Sequence, residues 1–200
     1  MAHISWLSLA RLEEDWAADF GPQSLFFCPL ISLQMSADEL ARCIDRPPDT
    51  EVLEGLGEFH SWGGRVGKRL FQLLSPKAAP SPGPNAGLSV CPLSPTEGIG
   101  WPVLQELAEL PQPMLSRVVR VHNRALDAAP QPGHFTVYYR DPQGAQVPLY
   151  FAKTAQEASE LRGFLRWHGV PMELVVAQIK DPGRDPKDGP GSSQKGTLIV

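Results

Sequence analysis

Apolar and polar residues alternate most regularly between His134 and Lys180. Alternation over 135–139 and again over 147–151, on either side of an Asp-Pro-Gln-Gly turn, is typical of a β-hairpin. Thr154 then precedes an amphipathic stretch at the spacing of a helix cap, and a valine-rich apolar run follows. The pattern therefore predicts a hairpin, a helix and a last strand. Parallel pairing of that strand with the second hairpin strand would make the helix a right-handed crossover.

Helical spacing of apolar residues dominates the N-terminal third of the chain. It predicts a helix over 5–19, a short helix over 37–45 that begins at a capping box, and two helices within 51–74. The break between the two helices within 51–74 is expected at the glycine pair 63–64, because each glycine costs about 1 kcal/mol relative to alanine inside a helix. The apolar run over 24–34 is too short to span a membrane and predicts one buried strand.

Two more helices are predicted in the second half of the chain, over 102–110 and over 114–128. The second carries Arg117, Arg120 and Arg124, which are spaced three and four residues apart. This spacing places the three arginines on one flank of the predicted helix, where they form the most basic surface in the sequence. Such a flank either contacts an anion or nucleic acid or is simply a solvated helix surface.

Proline divides the chain into predicted parts. Of the 200 residues 21 are proline, and six of these fall within 75–97 together with Ser, Ala and Gly. A structureless loop of that length is uncommon inside one compact domain, so a linker or long loop is expected there. It separates a mainly helical, acidic part over 1–74 from an α+β part over 98–180. Residues 181–200 are expected to form a disordered tail, and the predicted fold class is α+β.

The formal net charge of −4 is distributed unevenly along the chain. Residues 1–60 contain three basic and eleven acidic residues, whereas 61–150 contain eight basic and five acidic residues. This asymmetry is consistent with a C-terminal part that meets a polyanion, or with two solvated surfaces of opposite sign.

Five further basic residues join the arginine flank as candidate contacts to an anion or nucleic acid. Arg140 and Lys153 lie on the predicted hairpin, and Arg65, Lys68 and Arg69 lie in the glycine-rich segment GGRVGKR. That segment is not a phosphate-binding P-loop, because it lacks the first glycine of the motif and has arginine where Ser or Thr is required. It is expected to be a flexible basic turn or a plain helix break.

Cysteine usage and hydropathy favour a soluble, cytoplasmic protein. The three cysteines have no paired spacing, which indicates a reducing compartment and not a disulfide scaffold. The N-terminus lacks the basic start of a signal peptide, and no apolar run approaches the roughly 20 residues of a membrane span. No membrane association is therefore expected.

The sequence contains no recognisable motif for catalysis or for binding a metal or cofactor. We therefore expect no cofactor, and catalysis only if distant residues converge in the fold. The function favoured by the sequence is that of a non-enzymatic accessory protein that binds a macromolecular partner, itself a protein. The first alternative is a nucleic-acid-binding module that uses the arginine flank 117–124 and the hairpin 134–153. The second is an enzyme with a dispersed active site.

Overall fold

β-strands provide most of the regular structure. The computed structural model describes residues 3–21, 27–78, 86–94, 96–123, 131–140, 143–170 and 173–180. Of these residues 40% lie in strands and 28% in helices, and the largest assembly of elements is an antiparallel sheet of seven strands. The prediction of a helical N-terminal part followed by C-terminal helices within an α+β fold is therefore wrong, although helices and strands are both present.

Ten strands form two antiparallel sheets in the described part of the chain. They are β1 (Ile4–Leu7), β2 (Cys28–Leu33), β3 (Asp49–Leu53), β4 (Gly57–Val66), β5 (Arg69–Pro76), β6 (Ala86–Val90), β7 (Val118–Val121), β8 (Phe135–Arg140), β9 (Gln146–Ala152) and β10 (Glu173–Gln178). The larger sheet has the order β1-β4-β5-β6-β2-β7, with β3 beside the first half of β4. The smaller sheet has the order β10-β8-β9, and its β9 lies against β7.

Five helices accompany the sheets within the described ranges. They are α1 (Leu9–Phe20), α2 (Ala37–Ile44), α3 (Trp101–Glu106), α4 (Gln112–Leu115) and α5 (Ala155–Trp167). The capping box predicted at the start of α2 is confirmed. The Ser36 hydroxyl accepts a hydrogen bond from the Glu39 N–H, and the Glu39 carboxylate accepts one from the Ser36 N–H.

Residues 51–74, predicted to form two helices, instead form most of β3, β4 and β5. The glycines do not break a helix there; they make room for neighbours on the two faces of β4. A Cβ at Gly63 would lie 3.1 Å from Cδ2 of Leu12 in α1, and the ring of Phe71 occupies the corresponding space at Gly64. Apolar residues with helical spacing thus belong to strands here, because tertiary packing overrides local preference.

The helix predicted over 114–128 is also wrong. α4 ends at Leu115, and the chain continues as β7, whose valine-rich sequence favours an extended backbone. Arg117 therefore precedes a strand and Arg120 lies within it, so these two residues do not share a helix flank. Arg124 lies outside the described residues.

The segment predicted as a linker, 75–97, contains the strand β6. β6 pairs with β5 on one side and with β2 on the other. Buried residues from before, within and after this segment, such as Trp62, Leu88 and Leu161, belong to one hydrophobic core. The predicted tail over 181–200 lies outside the described part of the chain.

The hairpin, helix and last strand predicted over 134–180 are confirmed as β8, β9, α5 and β10. The parallel pairing that would make α5 a crossover does not occur, because β10 pairs antiparallel with β8 and not with β9. β9 and β10 thus run in the same direction with β8 between them, and α5 packs against all three strands. The Thr154 hydroxyl caps α5 by accepting a hydrogen bond from the Glu157 N–H.

The main core lies between the sheets and the helices α2 to α5. We call this side of each sheet its inner face and the opposite side its outer face. On the outer face of the larger sheet, Leu12 and Trp16 of α1 form a smaller apolar cluster with Leu70 and Cys91. No helix in the described ranges is long and apolar enough to cross a membrane.

Candidate functional site

The free edge of the smaller sheet, formed by β10, is the feature most open to a partner. β10 pairs with β8 on one side, and no described strand pairs with its other side. Its sequence, ELVVAQ, contains neither proline nor lysine, two residues that commonly protect an edge strand from further pairing. The edge therefore presents a row of backbone groups with which a strand from another chain is able to pair.

The register of β10 determines which of its backbone groups point outward. The Ile179 N–H, just beyond the strand, donates to the His134 carbonyl at 2.8 Å, so this residue faces β8. Hydrogen-bonded residues alternate along an antiparallel pair, and the β8–β10 register has no irregularity. Leu174, Val176 and Gln178 therefore direct their N–H and C=O groups toward the free edge.

An exposed tryptophan stands at the end of the helix that packs on this sheet. Trp167 is 83% exposed, although tryptophan is usually largely buried. It follows Gly163 by one helical turn on the solvent side of α5, and there is open space around the Cβ position of that glycine. The opposite side of α5 is buried through Leu161 and Leu165. Tryptophan is enriched among the residues that contribute most to protein interfaces.

A cleft of about 610 Å³ lies between α2 and α4. Its apolar part is formed by Met35, Cys43 and Pro113, and the side chains of Arg42 and Arg117 also line it. Its volume and its combination of apolar surface with a few polar groups are typical of sites that accept a small ligand or a few side chains.

The charges in this cleft are only partly neutralised. Nη2 of Arg117 lies 3.7 Å from Oε1 of Glu39, whose other oxygen accepts a hydrogen bond from the Ser36 N–H at 2.8 Å. That hydrogen bond lowers the pKa of Glu39 most, and Arg117 and Arg42 lower it further. Within the described residues no carboxylate lies at ion-pair distance from Arg42. Two guanidinium groups thus face one carboxylate, which leaves the cleft with a net positive charge.

Cys43 supplies the thiol that lines the cleft. Burial raises the pKa of this thiol, and the nearby Glu39 carboxylate adds to the rise. A thiol with a raised pKa is protonated at neutral pH and is a poor nucleophile. In the described ranges no group of three His, Cys, Asp or Glu side chains is arranged to hold a metal ion. The chemistry of the cleft is therefore suited to binding apolar and anionic groups.

Arg69, predicted to lie in a flexible basic turn or at a plain helix break, is buried in an ion-pair network at the start of β5. It is 2% exposed. Its Nε donates to Oε2 of Glu106 and its Nη2 to Oε1 of Glu97, each at 2.7 Å, and its Nη1 donates to the Cys91 carbonyl at 3.3 Å. These bonds connect β5 with α3 and with the segment that precedes α3. The side chain thus links elements of the fold.

The neighbouring candidates from the same glycine-rich segment have different surroundings. Arg65, on the outer face of β4, pairs with Asp15 and Asp19 of α1 at 3.0 and 2.8 Å. Lys68 is exposed in the turn between β4 and β5. Of the three cations in the segment, two are therefore bound to carboxylates of the same chain.

The remaining candidate cations lie on or beside different elements. Arg117 lines the cleft beside α4, and Arg120 is exposed on β7. Arg140 ends β8 and lies 3.5 Å from the first carboxylate of β10, while Lys153 is exposed before α5. Arg124 lies outside the described residues.

Neither the cleft nor the free edge was singled out by the sequence. α2 was predicted from its capping box, but its contact with α4 joins residues about 70 positions apart, which no local pattern records. The strand β10 was also predicted, but its place at the edge depends on pairing with β8. The one local signal was the absence of proline and lysine from 173–178.

Comparison with known protein families, curated proteins and solved structures finds no match to this chain.

Proposed function

We propose that this protein is a non-enzymatic accessory protein that binds a protein partner by accepting a strand of that partner along β10. The observation that supports this most directly is the unprotected edge at which Leu174, Val176 and Gln178 direct their backbone groups outward. In such complexes main-chain hydrogen bonds supply affinity, and alternate side chains supply specificity. Trp167 adds an exposed aromatic side chain on the helix that packs against the same sheet.

Nucleic-acid binding is less well supported by the arrangement of charges. Arg65, Arg69 and Arg140 already pair with carboxylates of the same chain. The other described candidates, Lys68, Arg117, Arg120 and Lys153, are distributed over different parts of the chain, on or beside different elements. Affinity for a polyanion grows with the number of phosphates that are neutralised together, so dispersed cations contribute little to it. The experiment that tests β10 therefore includes a nuclease treatment, which distinguishes binding of nucleic acid from binding of protein.

A dispersed active site has less support still. The cleft between α2 and α4 brings a single thiol, Cys43, next to Glu39 and two arginines, and the raised pKa of the thiol disfavours nucleophilic attack. We also propose a cytoplasmic location, because Cys28, Cys43 and Cys91 form no disulfide with one another.

The edge of β10 is tested by comparing two substitutions at one position. Val176→Pro removes an outward N–H without removing a hydrogen bond to β8, because residue 176 does not face β8. Val176→Ala is the matched control, since it also shortens the side chain but retains the N–H. Each immobilised full-length variant and the wild type are exposed to a lysate of the source organism, with and without nuclease. Retained proteins are quantified by mass spectrometry.

We expect at least one protein to be retained equally by the wild type and by Val176→Ala. Val176→Pro should retain roughly tenfold less of this protein or none of it, and nuclease should not release it. Equal retention of every protein by the two variants would contradict the proposal. Loss of all retained proteins after nuclease treatment would favour nucleic-acid binding instead. Thermal unfolding of both variants shows whether the fold is intact, and Gln178→Pro with Gln178→Ala is a second pair at the strand end.

A further inference from the structure

The tip of the β3–β4 hairpin carries two exposed apolar side chains. Val52 is 70% exposed and Leu56 is 73% exposed. The turn between the strands is closed by the Leu56 N–H, which donates to the Leu53 carbonyl at 3.0 Å. Gly55 and Gly57, on either side of Leu56, have φ angles of 75° and 100°, a region that favours glycine. The apolar tip is therefore a defined turn and not an extended loop.

The charged residues around this tip are acidic. Glu54 is exposed in the turn, and Glu58 lies opposite Val52 across the hairpin. Lys77 pairs with Glu58 at 3.2 Å, which neutralises that carboxylate. Among the described residues no basic side chain lies at ion-pair distance from Glu54. The tip thus combines exposed apolar surface with a net negative charge.

The cleft between α2 and α4 has the complementary properties. Met35, Cys43 and Pro113 provide an apolar lining, and its volume of about 610 Å³ is large enough for a leucine and a valine side chain. Arg42 and Arg117 give the cleft a net positive charge. Arg42 is one of only three basic residues within 1–60, a region that contains eleven acidic residues.

We propose that the β3–β4 tip of one copy of this chain inserts into the α2–α4 cleft of a second copy. Leu56 would pack on the apolar lining of the cleft, and Glu54 would face Arg117. A second copy is favoured over an unrelated partner, because both halves of the contact occur on the same chain and have opposite charge. Large apolar side chains that are exposed together are characteristic of association surfaces.

Two-fold symmetry lets this contact form twice in one dimer. In a dimer with two-fold symmetry the described tip of either chain fills the described cleft of the other, so that both contacts form between two chains and the assembly closes. A single contact of this kind is small compared with the interfaces of permanent dimers. The association is therefore expected to be reversible and to depend on protein concentration. It uses residues separate from those of β10, so it does not rest on the function proposed above.

Sedimentation velocity of the full-length chain tests the proposal. From low to high micromolar concentration, we expect the average mass of the wild type to rise from that of one chain, 21.9 kDa, toward that of two. Leu56→Asp should remain a monomer throughout, because a charged side chain replaces the apolar anchor. Leu93→Asp is the matched control, since Leu93 is also an exposed leucine but lies outside the hairpin, and it should associate like the wild type.

A charge exchange identifies the two surfaces that meet. Glu54→Arg and Arg117→Glu should each weaken association when studied alone, because like charges then face each other in both contacts of the dimer. An equimolar mixture of the two variants should associate again, since each contact in the mixed dimer pairs opposite charges. The double variant, with both substitutions in one chain, should also regain association. Thermal unfolding of each variant excludes loss of the fold as the cause.

A wild type that stays monomeric over the whole concentration range would overturn the proposal. So would association that persists in Leu56→Asp, or a mixture that associates no better than its two components. Association that is abolished by Val176→Pro but not by Leu56→Asp would assign the contact to the β10 edge and would likewise overturn it.

Discussion

The ring of Phe71 lies directly over the backbone of Gly64, its cross-strand neighbour in the larger sheet. From that position it also makes an edge-to-face contact with the ring of Trp6, at 5.5 Å between centroids. Trp6 is the residue opposite Gly64 on β1, so this glycine of β4 lies between two aromatic side chains on the two strands that flank β4. Aromatic packing across β1, β4 and β5 therefore requires the absence of a side chain at position 64.

Gly64→Ala is expected to destabilise the protein by about 1–3 kcal/mol or more, because the added methyl group and the Phe71 ring would occupy the same space. Chemical denaturation followed by circular dichroism measures the change. Gly98→Ala serves as the control, since there is open space around the Cβ position of Gly98, and a change within about 0.5 kcal/mol is expected. Equal effects of the two substitutions would show that the contact with Phe71 is not decisive.

Tyr150→Phe is expected to cost about 1–3 kcal/mol of unfolding free energy. The Tyr150 hydroxyl donates to Oε1 of Glu157 at 2.7 Å and accepts from Nδ2 of Asn123 at 2.8 Å and from the Trp101 N–H. Burial, together with the neighbouring Glu157 carboxylate, strongly raises the pKa of this tyrosine, so it stays protonated. The substitution leaves these partly buried groups without their partner. Denaturant titration of the variant measures the loss.

The matched control for that experiment is Tyr138→Phe. Tyr138 lies on the outer face of β8 and is half-buried, away from the groups that surround the Tyr150 hydroxyl. Its substitution should change the unfolding free energy by less than about 0.5 kcal/mol. A Tyr150→Phe protein as stable as this control would contradict the structural role of the hydroxyl network.

Arg69→Met is expected to destabilise the protein by about 3 kcal/mol. This value is at the lower end of the range for breaking a buried ion pair, because the carboxylates of Glu97 and Glu106 reach water. The effect of the substitution should also depend on pH. Hydrogen bonding to Arg69 lowers the pKa of Glu97 in the folded state below the ordinary value of 4.5. The ionised Glu97 therefore stabilises the fold above pH 4.5, and this stabilisation is lost as the pH falls through the lowered value.

Denaturation at a series of pH values from neutral to acidic tests this linkage. The stability gap between the wild type and Arg69→Met should be widest above pH 4.5 and should narrow at more acidic pH. Arg69→Lys, which keeps the charge but loses the forked geometry, should fall between the two proteins. A gap that does not change with pH would show that the loss comes from packing alone.

Glu51→Gln is expected to stabilise the protein at neutral pH. Burial raises the pKa of Glu51, while hydrogen bonds from Ser61 and Gln72 oppose the rise. The wild type consequently loses stability as the pH rises through the raised pKa, and the uncharged glutamine does not. The unfolding free energies of the two proteins should agree below pH 4.5 and diverge above it, with the variant the more stable. A wild type that is more stable at neutral pH would contradict this prediction.

The features that were predicted correctly are local ones. The capping box that joins Ser36 and Glu39 connects groups within one helical turn, and the hairpin of β8 and β9 is encoded by alternation around a short turn. In both cases the interacting residues are close in the sequence. Their pattern therefore specifies the structure without reference to the rest of the chain.

The features that were predicted wrongly depend on distant partners. Gly63 and Gly64 looked like helix breaks, but they accommodate Leu12, about 50 residues earlier, and a ring of the next strand. The cleft likewise depends on the contact of α2 with α4, and the spacing of residues in either helix does not indicate that contact. Periodicity records which side of an element is apolar, but not which element covers it.

Cys43 has a practical consequence for work in solution. Cys28 and Cys91 are buried, whereas Cys43 is only half-buried and lines the cleft. A maleimide dye is therefore expected to label the folded protein at one position, and faster as the pH is raised toward the elevated pKa of this thiol. Cys43 can thus report on the cleft without any substitution. The rate of its labelling by the dye measures the fraction of time for which the cleft is unoccupied.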